Sequence, residues 1–394
     1  IQRNMTRKNL LRKALSGLLI LTLAGCHPGK EKTQEKCQTL QIETETTAGS
    51  IRLSEVANSS LVVLPTSDSL LLSEINQIHL KKDFLYVADP SSVYKFSLSG
   101  ECLGAIHRQG TGPEEYANVS DFQTDGEHVW VLSRNTQCIN SYSWDNNCTS
   151  RINLDLWMEN ICLTDNNTLY IYTGNDMSKD NRFQLHALSL SDSSSKHHFL
   201  PVDKAKAQYL FVKSKNIFQQ NGSHTYFTQL FNDTVYNLNA AACTPAFVLD
   251  FSGKNIPSSF YNQPYEHIME FFEKLHQEDR FAYGTDCFLE TDKNYWAGYF
   301  YKKQYRMSIL PKSADGKQIC FGTLLIDQLY DYPVNLTDVT LFVQDNGQIV
   351  LPLQPDDIME YGRTHLSPSQ QQELADKLHY TDDQNPVLLL IRAI

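Results

Sequence analysis

Residues 78–116 read IHLKKDFLYVADPSSVYKFSLSGECLGAIHRQGTGPEEY, and this stretch holds three short runs of strand-forming residues. They are Phe84 to Ala88, Ser92 to Phe96 and Cys102 to Ile106. Asp89-Pro90-Ser91 and Ser97-Leu98-Ser99-Gly100 separate them with residues that tight turns favour. The pattern predicts an antiparallel meander. Such a meander cannot bury both of its faces alone, so the unit has to recur and stack against copies of itself.

It recurs. A second copy runs from Asp121-Phe122 through His128 to Leu132, and a third from Asn160 through Thr168 to Tyr172. A fourth is carried by Asn216 to Phe218 and Thr225 to Phe227, a fifth by Cys287 to Glu290 and Tyr295 to Tyr299, and a sixth by Val339 to Val343 and Gln348 to Leu351. In each, a strand, a polar Asp/Asn/Gly turn and a second strand follow in order. The central residues of the second strands are Tyr86, Trp130, Tyr170, Tyr226, Trp296 and Ile349, spaced by 44, 40, 56, 70 and 53 residues. That spacing brackets the blade pitch of roughly 40 to 50 residues known for propellers. The predicted fold is therefore all-β, a six-bladed β-propeller over residues 51–394. Leu61 to Leu64 stands alone ahead of the first repeat and Val387 to Ile391 closes the last, so both are assigned to one blade that seals the ring. Two helical insertions are expected. Ile268, Phe271, Phe272 and Leu275 share one helical face, and Ser367-Pro368 with Gln370 starts a capped helix through Leu378.

Composition narrows the function classes. Aromatics at 11% and hydrophobics at 41% supply a packed core. Five of the 34 basic residues lie before Cys26 in a segment with no acid, leaving 29 basic against 45 acidic residues in the remainder. That excess of negative charge repels phosphate backbones and argues against nucleic acid as a partner. Arg7-Lys8 and Arg12-Lys13 precede ten residues, Ala14 to Leu23, that are mostly apolar, too few to span a bilayer, followed by Leu23-Ala24-Gly25-Cys26. This reads as a signal peptide over residues 1–25, with translation expected from Met5 and residues 1–4 lying upstream. The ending resembles the lipobox of bacterial lipoproteins, which implies cleavage before Cys26 and lipidation of its thiol. Residues 26–50 are polar and read as a flexible tether to the membrane. Eight further cysteines have irregular spacing without C-x-x-C, so small buried hydrophobes are the expected role for most.

Leu85-Tyr86-Val87-Ala88-Asp89, Ser99-Gly100 and Arg108-Gln109-Gly110-Thr111-Gly112-Pro113-Glu114-Glu115-Tyr116 resemble the NHL-like six-bladed β-propeller lipoproteins of Gram-negative envelopes. Phe231-Asn232-Asp233-Thr234-Val235-Tyr236 and Asn385-Pro386-Val387-Leu388 are similar to that family's later landmarks. The usual signature is close to R-x-G-x-G-P-G-E-Y, and Glu114 stands where it has glycine. The resemblance implies a propeller fold and an outer-membrane, lipid-anchored location, and it implies no reaction.

Candidate chemistry is sparse. The loop from Arg108 to Tyr116 offers an arginine, two carboxylates and a phenol, so Arg108, Glu114, Glu115 and Tyr116 are the candidate ligand-binding residues; the competing reading gives the glycines to an inter-blade turn and the charges to solvent. Adjacent His197 and His198 point to opposite faces of a strand and are poorly placed to chelate one ion. Asp121, Asp125, Asp165 and Asp292 recur near blade turns, where Asx hydrogen bonding explains them. Without H-E-x-x-H, G-x-S-x-G or an EF-hand loop, no catalytic residue, metal or cofactor is expected. The expected function is binding of an envelope protein or carbohydrate on one face of the disc. The alternative is a propeller hydrolase or lyase acting on a sugar or peptide in the central channel.

Overall fold

The computed structural model describes residues 37–45, 48–192, 196–206, 214–345 and 347–394. The expected signal peptide, the Cys26 lipidation site and residues 26–36 of the tether lie outside these. The described chain forms six sheets, each built on a four-stranded antiparallel meander, arranged as a six-bladed β-propeller. The inner strands, in blade order, are Gln77–Lys81, Asp121–Thr124, Asn160–Leu163, Phe218–Asn221, Ala282–Glu290 and Phe342–Gln344.

Five of the six repeats seen in the sequence are in register, their central residues facing the next blade; in blade 6 Ile349 instead faces back toward blade 5 and Val350 packs onto blade 1. Across the ladder each central residue is paired with a residue of the inner strand. Tyr86 faces His79, Trp130 faces Gln123 and Tyr170 faces Cys162. Tyr226 faces Gln219, Trp296 faces Leu289 and Ile349 faces Val343. The core lies between blades. Tyr86 joins Phe122, Val129 and Tyr142 of blade 2, while Leu132 and Ile139 of blade 2 join Leu169 and Ile171 of blade 3. Large side chains buried this fully contribute about 1.5 to 3 kcal/mol each.

Ring closure follows the predicted pairing. Strand β3 (Ala57–Val63) pairs antiparallel with Val387–Ala393, placing Val62 opposite Leu388 and Leu61 opposite Leu389. Asn385, 1% exposed, clasps the join. Its Oδ1 accepts from the Leu72 N–H at 2.8 Å and its Nδ2 donates to the Pro65 and Leu70 carbonyls at 2.7 and 2.9 Å.

The tether expectation needs correction over its second half. Strand β1 (Gln38–Gln41) adds parallel to the edge of blade 4, and β2 (Gly49–Arg52) adds parallel to the edge of blade 5. Leu40 is 6% exposed and Ile42 is fully buried. The segment is part of the fold because open sheet edges supply unpaired backbone partners that its own polar side chains do not advertise.

Both expected helices are present, as α2 (Ile268–Glu278) and α4 (Pro368–Leu378), and α4 begins with the Ser367–Gln370 capping box. Two further helices were not anticipated: α1 (Ser258–Tyr261) and α3 (Pro355–His365).

Candidate functional site

The loop singled out in the sequence is braced from within. Tyr116 is fully buried, and its hydroxyl contacts the Ser91 and Ile106 carbonyls at 2.9 and 3.0 Å and the Arg108 N–H at 3.2 Å. Glu115 accepts from the Gly112 N–H at 2.8 Å. Blade 2 fastens the loop's backbone, through Asn140 to the Glu115 carbonyl, Tyr142 to the Glu114 carbonyl and Arg151 to the Pro113 carbonyl. At the surface, Arg108 pairs with Glu114 at 3.4 Å. The four residues are thus brought together, with Tyr116 as packing, Glu115 as a turn brace and two charges at the surface. No phenol is presented to a ligand, because burial of the ring is what closes blade 1 onto blade 2.

The central channel has a different character at its two ends. Where the inner strands begin, the segment entering blade 4 crosses the axis. Lys215 Nζ donates to the Asn76 carbonyl at 2.8 Å, and Gln77 Nε2 donates back to the Lys215 carbonyl at 3.2 Å. Asn216 Nδ2 donates to the Leu341 carbonyl and its Oδ1 accepts from the Val343 N–H, both at 2.8 Å. These bonds tie blades 1, 4 and 6 together and strut one end of the channel.

Where the inner strands end, the channel opens into a cavity of about 710 Å³ lined by Lys81, Asp165, Gln220 and Asp345, with Ser60 and Arg392 at its rim. Its floor narrows among His79, Gln123, Cys162 and Gln220. The Lys81 ammonium lies 3.9 Å from Asp165, whose side chain is 95% exposed. A pair that open contributes about 0 to 1 kcal/mol, so Lys81 remains available to a bound group. Burial raises the Asp345 carboxyl to about 6, Lys81 opposing and Asp165 adding to the shift. Burial also holds His79 neutral down to about pH 4, against the Phe122 carbonyl that accepts from its Nε2 at 2.9 Å. The Cys162 thiol is pushed up to about 12 by burial, beside the Gln220 amide. The pit therefore sets Lys81 among the carboxylates of Asp165 and Asp345, with Lys82, Asp83 and Arg392 also in its walls, above the neutral imidazole of His79, the Gln220 amide and the Cys162 thiol.

None of the pit residues was a candidate in the sequence. Of the four aspartates assigned to turns, Asp125 makes Asx-type bonds to the Glu127 and His128 N–H groups. Asp165 instead sits at the pit mouth, and Asp121 is buried, bonded across blades to the Ile161 N–H at 2.9 Å. Lys81 ends its inner strand, Gln220 is next to last in its own, and Asp345 and Asp165 lie one and two residues past theirs.

His197 and His198 lie on the edge strand of blade 3 and face different partners. His198 meets His186, Nδ1 to Nδ1, at 2.7 Å, while His197 stacks on Phe199. Among the described residues no three His, Cys, Asp or Glu side chains come together as a metal site. The described cysteines are free thiols, with Cys138, Cys162 and Cys287 buried. No helix among the described residues is long and apolar enough to cross a membrane.

The family model for a domain of unknown function, DUF4934, matches residues 37–392. No curated protein sequence matches the chain significantly. A solved structure of a Bacteroides fragilis protein whose export is inferred superposes with a TM-score of 0.70 at 17% identity, covering 91% of this chain and 100% of that one. A member of the DUF4221 family from Bacteroides vulgatus superposes with a TM-score of 0.51 at 9% identity, covering 85% of this chain and 98% of that one. At these identities the likeness shows the fold alone.

Proposed function

The chain belongs to the DUF4934 family, which brings no assigned reaction with it, and we propose from the channel geometry that it binds a small, polar, charge-bearing molecule in the pit. The observation that carries this reading is the asymmetry of the channel: strutted by Lys215 and Asn216 at one end, and open at the other onto Lys81, Asp165 and Asp345. A strutted end and polar walls favour retention of a ligand over passage through the disc. Within the pit, Lys81 faces an anionic group and Asp345 a donor or cationic group of the same molecule.

The hydrolase or lyase alternative is not favoured. Among the described pit residues no hydrogen bond joins a nucleophile to a base; Cys162 meets an amide, and His79 is committed to a carbonyl. In this reading the protein works as an exported envelope lipoprotein of the NHL-like kind held by Cys26, consistent with the lipobox and with the inferred export of its Bacteroides fragilis neighbour.

Thermal-shift and calorimetric titration of free amino acids, sugar acids and polyamines against wild type and Lys81→Met tests the pit. At least one class is expected to stabilise wild type saturably and to lose at least tenfold in affinity in the variant. No saturable shift from any class, or an unchanged affinity in Lys81→Met, would overturn the assignment.

A further inference from the structure

A second cavity lies at the rim of the disc, between blades 2 and 3. It encloses about 710 Å³, with Trp130 and His128 of blade 2, and Asn167, Leu188 and Lys196 of blade 3, among its walls. Trp130 is the central residue of its blade, and it departs from three of its equivalents. Tyr86 is covered by Trp144 of the next blade at 5.6 Å, Tyr170 by Phe218 at 6.5 Å and Tyr226 by Phe288 at 5.7 Å. Among the described residues the only aromatic ring against Trp130 is His128 of its own strand, at 5.8 Å. Trp296 also meets a ring only of its own blade, Phe321, among the described residues, but it is 2% exposed, whereas Trp130 is partly exposed and lines the groove.

The polar groups of this groove have unspent capacity. The Trp130 indole N–H, the Asn167 side-chain amide and the Lys196 ammonium have no hydrogen-bond or ion-pair partner among the described residues. Beside them, Leu188 and Ile152 give the walls an apolar component. An indole face, apolar flanks and unpaired groups that donate and accept match a pyranose ring, which carries a C–H face and a rim of hydroxyls. Charge narrows the class. Lys196, on the same face of blade 3 as Leu188, lines the groove, and among the described residues no carboxylate does; Asp125 stands 3.7 Å from the His128 ring without lining the cavity. In a chain with 45 acidic and 34 basic residues this local bias is toward anions.

We propose that the groove between blades 2 and 3 binds an acidic oligosaccharide, one sugar ring stacking on Trp130 and its carboxylate or sulfate facing Lys196. The volume suits two or three rings. The site is independent of the pit, on the rim and not on the axis.

Calorimetry and tryptophan emission on the purified protein, with galacturonate tetrasaccharide, chondroitin sulfate tetrasaccharide, neutral cellotetraose and a short polyglutamate peptide, test it. At least one acidic tetrasaccharide is expected to bind saturably and at least tenfold more tightly than cellotetraose, more weakly as salt is raised. Binding of the galacturonate arm shows that a carboxylate suffices; binding of chondroitin sulfate, which carries both carboxylate and sulfate, with none of galacturonate assigns recognition to the sulfate. Trp130→Leu and Lys196→Gln should each weaken binding about tenfold or more, while Lys81→Met leaves it unchanged. Lys196→Gln changes only the groove wall, so it decides the matter if Trp130→Leu unfolds. Absence of saturable binding by either acidic saccharide, equal binding of cellotetraose, preference for polyglutamate, or full affinity in Lys196→Gln would overturn the proposal.

Discussion

Gly100 shows how a single position constrains this ring. It adopts a φ of 90°, and a Cβ there would lie 2.2 Å from the Val63 carbonyl oxygen of β3. Both the conformation and the contact oppose a side chain, so Gly100→Ala should cost about 2 kcal/mol or more, measured by urea unfolding. His79 is the second residue whose environment makes a prediction. Its pKa falls from 6.5 to about 4 in the fold, chiefly through burial. A lowered histidine stabilises the protein fully above 6.5 and loses that contribution as pH falls toward 4. Stability should therefore decline over this window, and His79→Gln should flatten the decline; an NMR titration should show the wild-type ring neutral until about pH 4. The aromatic centres were legible in the sequence because period-2 alternation puts them on a buried face. Lys81, Asp165 and Asp345 were not, because alternation names a face of a strand without saying which residues converge on the axis.

At the scale of elements, the chain from Gln38 to Arg52 shows the limit of reading polarity as flexibility. Gln38-Thr39-Leu40-Gln41 carries one apolar residue in four, yet it pairs with Phe247 to Asp250 along the edge of blade 4. Ile42→Ala should cost about 2 to 5 kcal/mol by chemical denaturation, as for any buried core truncation, whereas in a tether it would cost nothing. Helix α3 escaped notice for a related reason. Its acidic first turn, Asp356 and Asp357, and its basic last turn, Arg363 and His365, are normal signals. Its apolar stripe is interrupted by Gly362, where a Cβ would sit 3.0 Å from Leu374 of α4. The glycine permits the close crossing and at the same time hides the helix from a periodicity count. Helix α2, with Phe271 and Leu275 buried on one face, carried the period intact.

For the whole molecule, blade count and closure were legible, because a repeat that cannot bury itself has to be continued until it meets its own beginning. Asn385 is where the ends meet, and its side chain serves three backbone groups. Asn385→Leu should cost about 3 kcal/mol or more by leaving the Leu72 N–H and two carbonyls unpaired in the interior. The proposed lipidation at Cys26 predicts that the protein incorporates radiolabelled palmitate in its native host and that Cys26→Ser abolishes the label. Its central functional claim rests on the asymmetry of the channel, and crystallographic soaking with a library of small polar fragments tests that claim most directly. Fragment density is expected in the open pit between Lys81 and Asp345, with the Lys215–Asn216 strut unbroken behind it; fragments scattered over the surface with the pit holding only solvent would contradict it.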